Sequence, residues 1–213
     1  MSRDRIVPDD GREPMSYVFD YLQGRGAVFT VIPHPKAETA ASDGRALPFS
    51  EDEVVTTVVV MADFGPALMV VPASGRLDLD LAAEATADPS VRLASERELA
   101  RAFPDYEPGA LPPLSMLLLA PMFVDPAVAE RETIVFAAGR QDVSIRMATR
   151  DLFGADPVVI TPLTADARTA LVLEVEAAGE APDPEGASVV DLPSIAARLA
   201  SLQTSRDPAR PAP

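Results

Sequence analysis

One histidine, one lysine and no cysteine leave this 213-residue chain few side chains that can move a proton or attack a carbonyl. The histidine, His34, lies between Pro33 and Pro35, where proline ends a strand and fixes the backbone around it. It supplies one possible base, or a structural loop histidine, and excludes a multi-histidine metal centre. Without cysteine there is no thiolate nucleophile, disulfide or cysteine metal site. Arg140 and Arg146 fall in a strand-turn-strand, and their guanidinium forks suit a carboxylate or phosphate; the alternative is a surface ion pair. Asp78 and Asp80 sit at a helix start and read as charges favoured by the helix dipole, not as metal ligands. Gly24-Arg25-Gly26 lacks a third glycine and follows a helix, so it is a helix stop. No phosphate loop, G-x-S-x-G elbow or H-E-x-x-H pair occurs. No cofactor or metal is implied, and these residues alone leave the function open.

Charge narrows the partners. Seventeen arginines and one lysine face 33 acidic residues, for a net charge of −15. Broad charge-driven binding to DNA or a membrane surface is therefore not expected, although a local basic pocket is compatible with it. The longest apolar run, 117–124, is broken by Pro121 and falls short of the ~20 residues needed to span a bilayer. The opening MSRDRIVPDDGRE has no apolar stretch, so no secretory leader is expected. These features predict a soluble, cytoplasmic protein; its oligomeric state is open.

The elements that must position these residues follow from periodicity and breakers. Met15, Phe19 and Leu22 recur at helical spacing before Gly24. Strands are expected at 27–32, 54–62, 67–71 and 91–94, with Gly65-Pro66 as the turn of a hairpin. Helices are expected at 39–47, 80–86 and 96–102, the last opened by a Ser95/Glu98 capping box. Residues 103–115, FPDYEPGALPPLS, hold four prolines and one glycine, a density that admits only a loop. Further strands are expected at 117–124, 133–138 and 142–147, with Gly139-Arg140 connecting the last two. A helix capped by Thr149 should run to Phe153, and a strand should follow at 158–161. Past about residue 165 the composition turns to Ala, Pro, Glu and Asp. A strand at 171–175, a helix carrying Ile195, Leu199 and Leu202, and a disordered tail are expected there. The class is α/β or α+β with a mixed sheet. The expected organisation is a disordered arm over 1–14, one domain over 15–165, and an accessory segment over 166–213.

Four segments in order resemble the YbaK-type, prolyl-tRNA-editing-like domain. They are His34-Pro35 with Thr39 following, VTTVVVMADFGPALMVVPASGRLDL at 55–79, EPGALPPL at 107–114, and IVFAAGRQDVSIRM at 134–147. The resemblance covers roughly residues 15–162. It implies a mixed, partly barrel-like sheet ringed by helices. It also implies hydrolysis of the ester of a wrongly charged aminoacyl-tRNA, with the aminoacyl-tRNA 3′ end as partner. In that family the pocket is built partly from backbone groups of a G-x-x-P loop, here Gly109-Ala110-Leu111-Pro112. Positioning and oriented dipoles suit a chain with no evident side-chain nucleophile. The resemblance places Gly109, Thr56 and His34 at the chemistry, with Lys36, Pro112, Gly139, Arg140 and Arg146 contacting substrate.

Two departures qualify this reading. Family editing enzymes carry a lysine where this chain has Thr56, and the glycine that follows the loop prolines is Ser115 here. A threonine hydroxyl brings no positive charge to a phosphate or oxyanion. Lys36 could reach the site from the His34 segment or remain a solvated loop lysine. Three functions stay open: a freestanding deacylase, a non-catalytic module binding a small ligand, tRNA end or protein, and a hydrolase of another acyl ester on the same fold. The first is preferred, and the charge around Lys36, Arg140 and Arg146 discriminates among them.

Overall fold

The computed structural model describes residues 13–36, 49–154 and 156–169. Helix α1 (Pro14–Gly24) starts with proline at its first position, where a missing N–H removes no intrahelical bond. Its Val18 and Leu22 are buried, and Met15 and Phe19 pack at the edge of the same core. Strand β1 (Phe29–Pro33) pairs antiparallel with β7 (Val143–Ala148), which pairs antiparallel with β6 (Thr133–Arg140). The second sheet holds β2 (Val55–Ala62), β3 (Gly65–Pro72), β4 (Arg92–Leu93), β5 (Met122–Val124) and β8 (Val159–Ile160). Its order is β4-β2-β3-β5-β8, with β5 parallel to both of its neighbours. The mixed α+β architecture is as expected, divided into two sheets without a closed barrel. A parallel bridge between Val54 and Val135 links them, with Val135 N donating to Glu53 O at 2.8 Å. Helices α2 (Leu79–Thr86), α3 (Glu96–Ala102), α4 (Ser115–Leu118), α5 (Pro126–Ala129) and α6 (Thr149–Phe153) complete the described elements.

Local chemistry explains where the elements start. Asp78 caps α2 by accepting from Asp80 N and Leu81 N, and Ser95 with Glu98 forms the capping box of α3. Other expectations need correction. The hairpin turns at Asp63-Phe64, while Gly65 pairs with Ala62 inside the ladder at φ +116°. Gly139 and Arg140 likewise belong to β6, where a register shift lies between Ala137 and Arg140 and Gly139 takes φ +97°. The apolar run at 117–124 is mostly not a strand. Ser115 Oγ and Met116 N donate to the buried Asp156 carboxylate at 3.2 and 3.4 Å, fixing a helical turn, so only Met122–Val124 joins the sheet. Ala148, not Thr149, is the N-cap of α6. The helix expected at 39–47 and the elements expected beyond 170 lie outside the described residues, as does most of the arm.

The far end of this core is tied by one carboxylate. Asp125 is fully buried. Its Oδ1 accepts from Ala127 N at 2.9 Å, capping α5. Its Oδ2 accepts from Leu163 N at 2.9 Å, Thr164 N at 3.0 Å and Thr164 Oγ1 at 3.1 Å. Removing the acceptor orphans buried donors, each costing ~1–3 kcal/mol. Asp125→Ala should lower unfolding free energy by about 3 kcal/mol or more in urea titration, and Asp125→Asn by less. An unchanged midpoint for Asp125→Ala would refute this account of the 163–164 anchor.

Candidate functional site

The proline-rich loop, 103–115, closes short turns of its own, Tyr106 N to Phe103 O and Ala110 N to Glu107 O, and is otherwise held from outside. Phe103, Leu111 and Leu114 are buried in the main core. Glu107 N donates to Gly139 O at 3.1 Å, and Gly139 N donates to Ala110 O at 3.0 Å, docking the loop on the irregular end of β6. The Glu107 carboxylate adds a second clamp: Oε1 accepts from Lys36 Nζ at 2.8 Å and Oε2 from Gln141 N at 2.7 Å. Lys36 first, then the Gln141 amide, hold this carboxyl below the usual glutamate range. Gly109 between these ties has φ +77° and nothing within 4 Å of where a Cβ would stand. Its requirement is therefore conformational, worth ~1–2 kcal/mol against an L side chain.

Across from the loop lies the start of β2. The cleft between them is lined by Thr56, Thr57, Gly109, Leu111, Ala137 and Ser144, and its enclosed space of about 10 Å³ suits roughly one water. Ser144 is buried, and its Oγ lies 2.9 Å from His34 Nε2. His34 Nδ1 lies 2.9 Å from the Pro35 carbonyl, which only accepts. In neutral imidazole Nδ1 therefore carries the proton and Nε2 accepts from Ser144. The Thr57 Oγ1 is buried and makes no hydrogen bond among the described residues. Thr57 alternates with Val55 and Val59, which join the main core, whereas Thr56 pairs with Val71 of the second apolar cluster.

Several residues singled out from the sequence thus converge. Thr56 and Gly109 share the cleft, His34 joins through Ser144, Lys36 joins through Glu107, and Gly139 underlies the loop. Others sit elsewhere. Pro112 is buried behind the loop, and Leu111 takes the lining position. Arg140 binds Asp142 through Nε at 2.9 Å and Nη2 at 2.8 Å, and Glu13 at 3.2 Å. That fork holds the Asp142 carboxyl down at about 2. Arg146 donates to Glu53 at 3.2 Å and to Thr133 Oγ1 at 2.9 Å, with its guanidinium 5.5 Å from the Phe49 ring centroid. Burial opposes ionisation of Glu53, but the Thr133 hydroxyl and Arg146 outweigh it and lower its pKa. Lys36, Arg140 and Arg146 thus face Glu107, Asp142, Glu13 and Glu53, so these cations give no net positive mouth. Sequence reasoning missed Glu107, Thr57 and Ser144. Glu107 stands beside Pro108-Gly109, the one visible signal among them. Among the described residues no cluster of His, Asp and Glu could hold a metal ion, and no helix is long and apolar enough to cross a membrane.

A mixed α+β domain whose proline-rich loop docks over a strand start defines the class. The model of the aminoacyl-tRNA editing domain family matches residues 34–155, more than half of the chain, and the chain belongs to that family. The crystal structure of the hypothetical protein APE2540 is 25% identical, with a TM-score of 0.63, covering 70% of this chain and 99% of that one. A candidate trans-editing enzyme for prolyl-tRNA synthetase is 22% identical, with a TM-score of 0.61 and coverage of 75% and 99%; at that identity it speaks for the fold alone. No curated protein matches the chain.

The Glu107 clamp carries a pH signature. A carboxylate with a lowered folded pKa stabilises the fold above its ordinary value of 4.5 and loses that contribution as pH falls through the folded value. The Tm difference between wild type and Glu107→Gln should therefore be largest at neutral pH and shrink as pH falls below 4.5. A difference constant with pH would show that the charge of Glu107 does not hold the loop.

Proposed function

We propose that this chain hydrolyses the ester of mischarged aminoacyl-tRNA in trans, with the reaction centred on the cleft between Gly109 and the start of β2. The observation that carries the reading is the convergence of the G-x-x-P loop, the two threonines and the His34–Ser144 pair on a space about the size of one water. Water attacks the ester carbonyl carbon and its proton passes through Ser144 Oγ to His34 Nε2. The carbonyl oxygen gains negative charge, which the Thr57 hydroxyl and backbone N–H groups of the loop offset. The C–O bond to the tRNA ribose then breaks, the ribose oxygen recovers the proton from His34, and the amino acid leaves as the carboxylic acid, which loses its own proton to solvent as the carboxylate. No covalent intermediate is needed, because an ester is labile enough for positioning and oriented dipoles to suffice.

A second reading, a catalytically inactive module binding a small ligand, tRNA end or protein, is favoured by one observation. Every cation assigned to the site is paired with a carboxylate; the resemblance, which sets Thr56 where family members carry lysine, points the same way. A deacylation screen over mischarged tRNAs separates the two readings. Slow hydrolysis of at least one mischarged tRNA is expected from the native chain, with loss in Gly109→Ala and gain in Thr56→Lys. A well-placed donor at an oxyanion contributes about 10²–10³ in rate, the upper bound for that gain. No hydrolysis by native or Thr56→Lys protein, alongside retained ligand binding, would decide for the binding module.

A further inference from the structure

A second pocket, of about 260 Å³, opens at the other end of β6 and β7. Its walls carry Arg131, Glu132, Thr149, Arg150, Phe153 and Ile160. Thr149 is 97% buried by accessible area, at 3% exposure, yet its Oγ1 has no partner among the described residues. A buried hydroxyl left unpaired costs ~1–3 kcal/mol, and a turn of the Thr149 side chain toward the pocket it lines lets a ligand that hydrogen-bonds it recover that cost. Arg150 is 87% exposed and, among the described residues, pairs with its neighbour Asp151 at 3.6 Å. Arg131 pairs with Asp52 at 3.3 Å with both side chains more than 40% exposed, an interaction weak enough to yield to a better anion. Phe153 and the exposed Ile160 supply an apolar wall beside these polar groups.

The ladder relates this pocket to the first cleft. Ala137 pairs with Ser144, Val135 with Arg146, and Thr133 with Ala148. Even spacing puts all three pairs on one face of the sheet, with Ala137 and Ser144 in the cleft and Thr133 and Ala148 in the second pocket. Four residues of strand separate the two, about 13 Å. Arg146 lies between them, its Nε buried without a partner among the described residues and its guanidinium against Phe49. Guanidinium groups alternating with aromatic surfaces along a track are what single-stranded nucleic acid uses, phosphate on the cation and base on the ring.

We propose that the second pocket is a nucleotide subsite: it takes one phosphate and one base of a single-stranded RNA 3′ end whose terminal ester lies at the mouth of the first cleft, with Arg146 on the way. This rests on the editing reading above. Arg131 and Arg150 hold the phosphate, the Thr149 hydroxyl donates to it or to the ribose, and the base lies on Phe153 and Ile160. Glu132, Asp52, Glu53 and Asp151 keep the track from being strongly basic, so recognition comes from fork geometry and stacking rather than bulk charge.

The test measures binding of uncharged tRNA by fluorescence anisotropy in wild type, Arg150→Ala and Thr149→Val, with hydrolysis followed separately. Arg150 is exposed, so its removal should leave the fold intact. Arg150→Ala should raise the Kd for tRNA about tenfold, the loss of one charge-assisted contact. It should also reduce the salt slope by about one. Thr149→Val should weaken binding less while leaving Tm unchanged or higher, since it deletes an unpaired hydroxyl; a purely structural role would give no binding loss. Both variants should hydrolyse an aminoacyl ester of adenosine, too short to reach the pocket, as the wild type does. An unchanged Kd in both variants, a wild type that binds no tRNA, or equal losses on tRNA and the short ester would overturn the proposal. If the wild type hydrolyses neither ester while the Kd shift persists, the editing reading fails and the RNA subsite stands.

Discussion

Everything at the candidate site depends on two backbone hydrogen bonds that dock the Glu107–Ala110 turn on Gly139. A proline-rich loop cannot satisfy its own backbone, and ordering each residue costs ~1–2 kcal/mol. Burial recovers part of that cost where the loop touches the body of the protein: Leu111 and Leu114 are buried, at roughly 1.5–3 kcal/mol for full burial of each side chain. The docking also needs β6 to present both N–H and C=O of one residue outward, which the irregular end at Gly139 provides. Glu107 then couples the loop to Lys36 and Gln141. The position of Gly109 is thereby set by the three-stranded β1-β7-β6 sheet, not by the loop's own conformation.

The same economy governs charge. With 33 acidic residues against 18 basic, the fold places Lys36, Arg140 and Arg146 against carboxylates, and two acids do structural work in the interior. Asp125 ties 163–164 to α5, and Asp156 gathers Arg25, Tyr21, Ser115 and Met116 around the end of α1. Burial first, and then the Asp156 hydrogen bond, push the Tyr21 phenol up, so it stays protonated and donates. A cleft in such a protein has little spare positive charge for an oxyanion. The hydrolysis proposed above would therefore draw on fixed dipoles of hydroxyl and amide groups, whose orientation costs nothing at the moment of reaction.

Much of this was legible in the sequence because the signals are local. The capping box at Ser95 and Glu98, the valine-rich β2–β3 hairpin and the density of prolines at 103–115 each act within a few residues. The failures involve groups distant in sequence. Residues 117–124 read as a strand after a loop ending at Ser115, but Asp156, 41 residues beyond Ser115, holds Ser115 and Met116 in a helical turn. Arg140 looked like a ligand fork, but Asp142 lies two residues away, and β6 extends past Gly139 to bring the pair together. Ser144 and Thr57 gave no signal at all: one is a serine in a β-branched strand and the other the second of two threonines. Their importance comes from what the fold sets beside them, His34 across a sheet edge and Gly109 from a loop.

Which threonine faces the cleft with its hydroxyl is itself a matter of register. β2 is apolar on both faces: Val55 and Val59 enter the main core, and Val60 enters the second cluster with Met69 and Val71. Hydrophobic alternation alone therefore pins the register weakly, since a slip by one would still bury valines on either side. The two-residue turn supplies the missing constraint. Ala62 pairs with Gly65, whose φ of +116° an L side chain adopts only with strain. That closure counts back along the ladder, Val60 on Ala67 and Val58 on Met69, and fixes Thr56 opposite Val71 and Thr57 opposite Val70. A glycine at the far end of the hairpin thus decides which hydroxyl stands beside Gly109, and the chemistry of the cleft inherits its geometry from the turn.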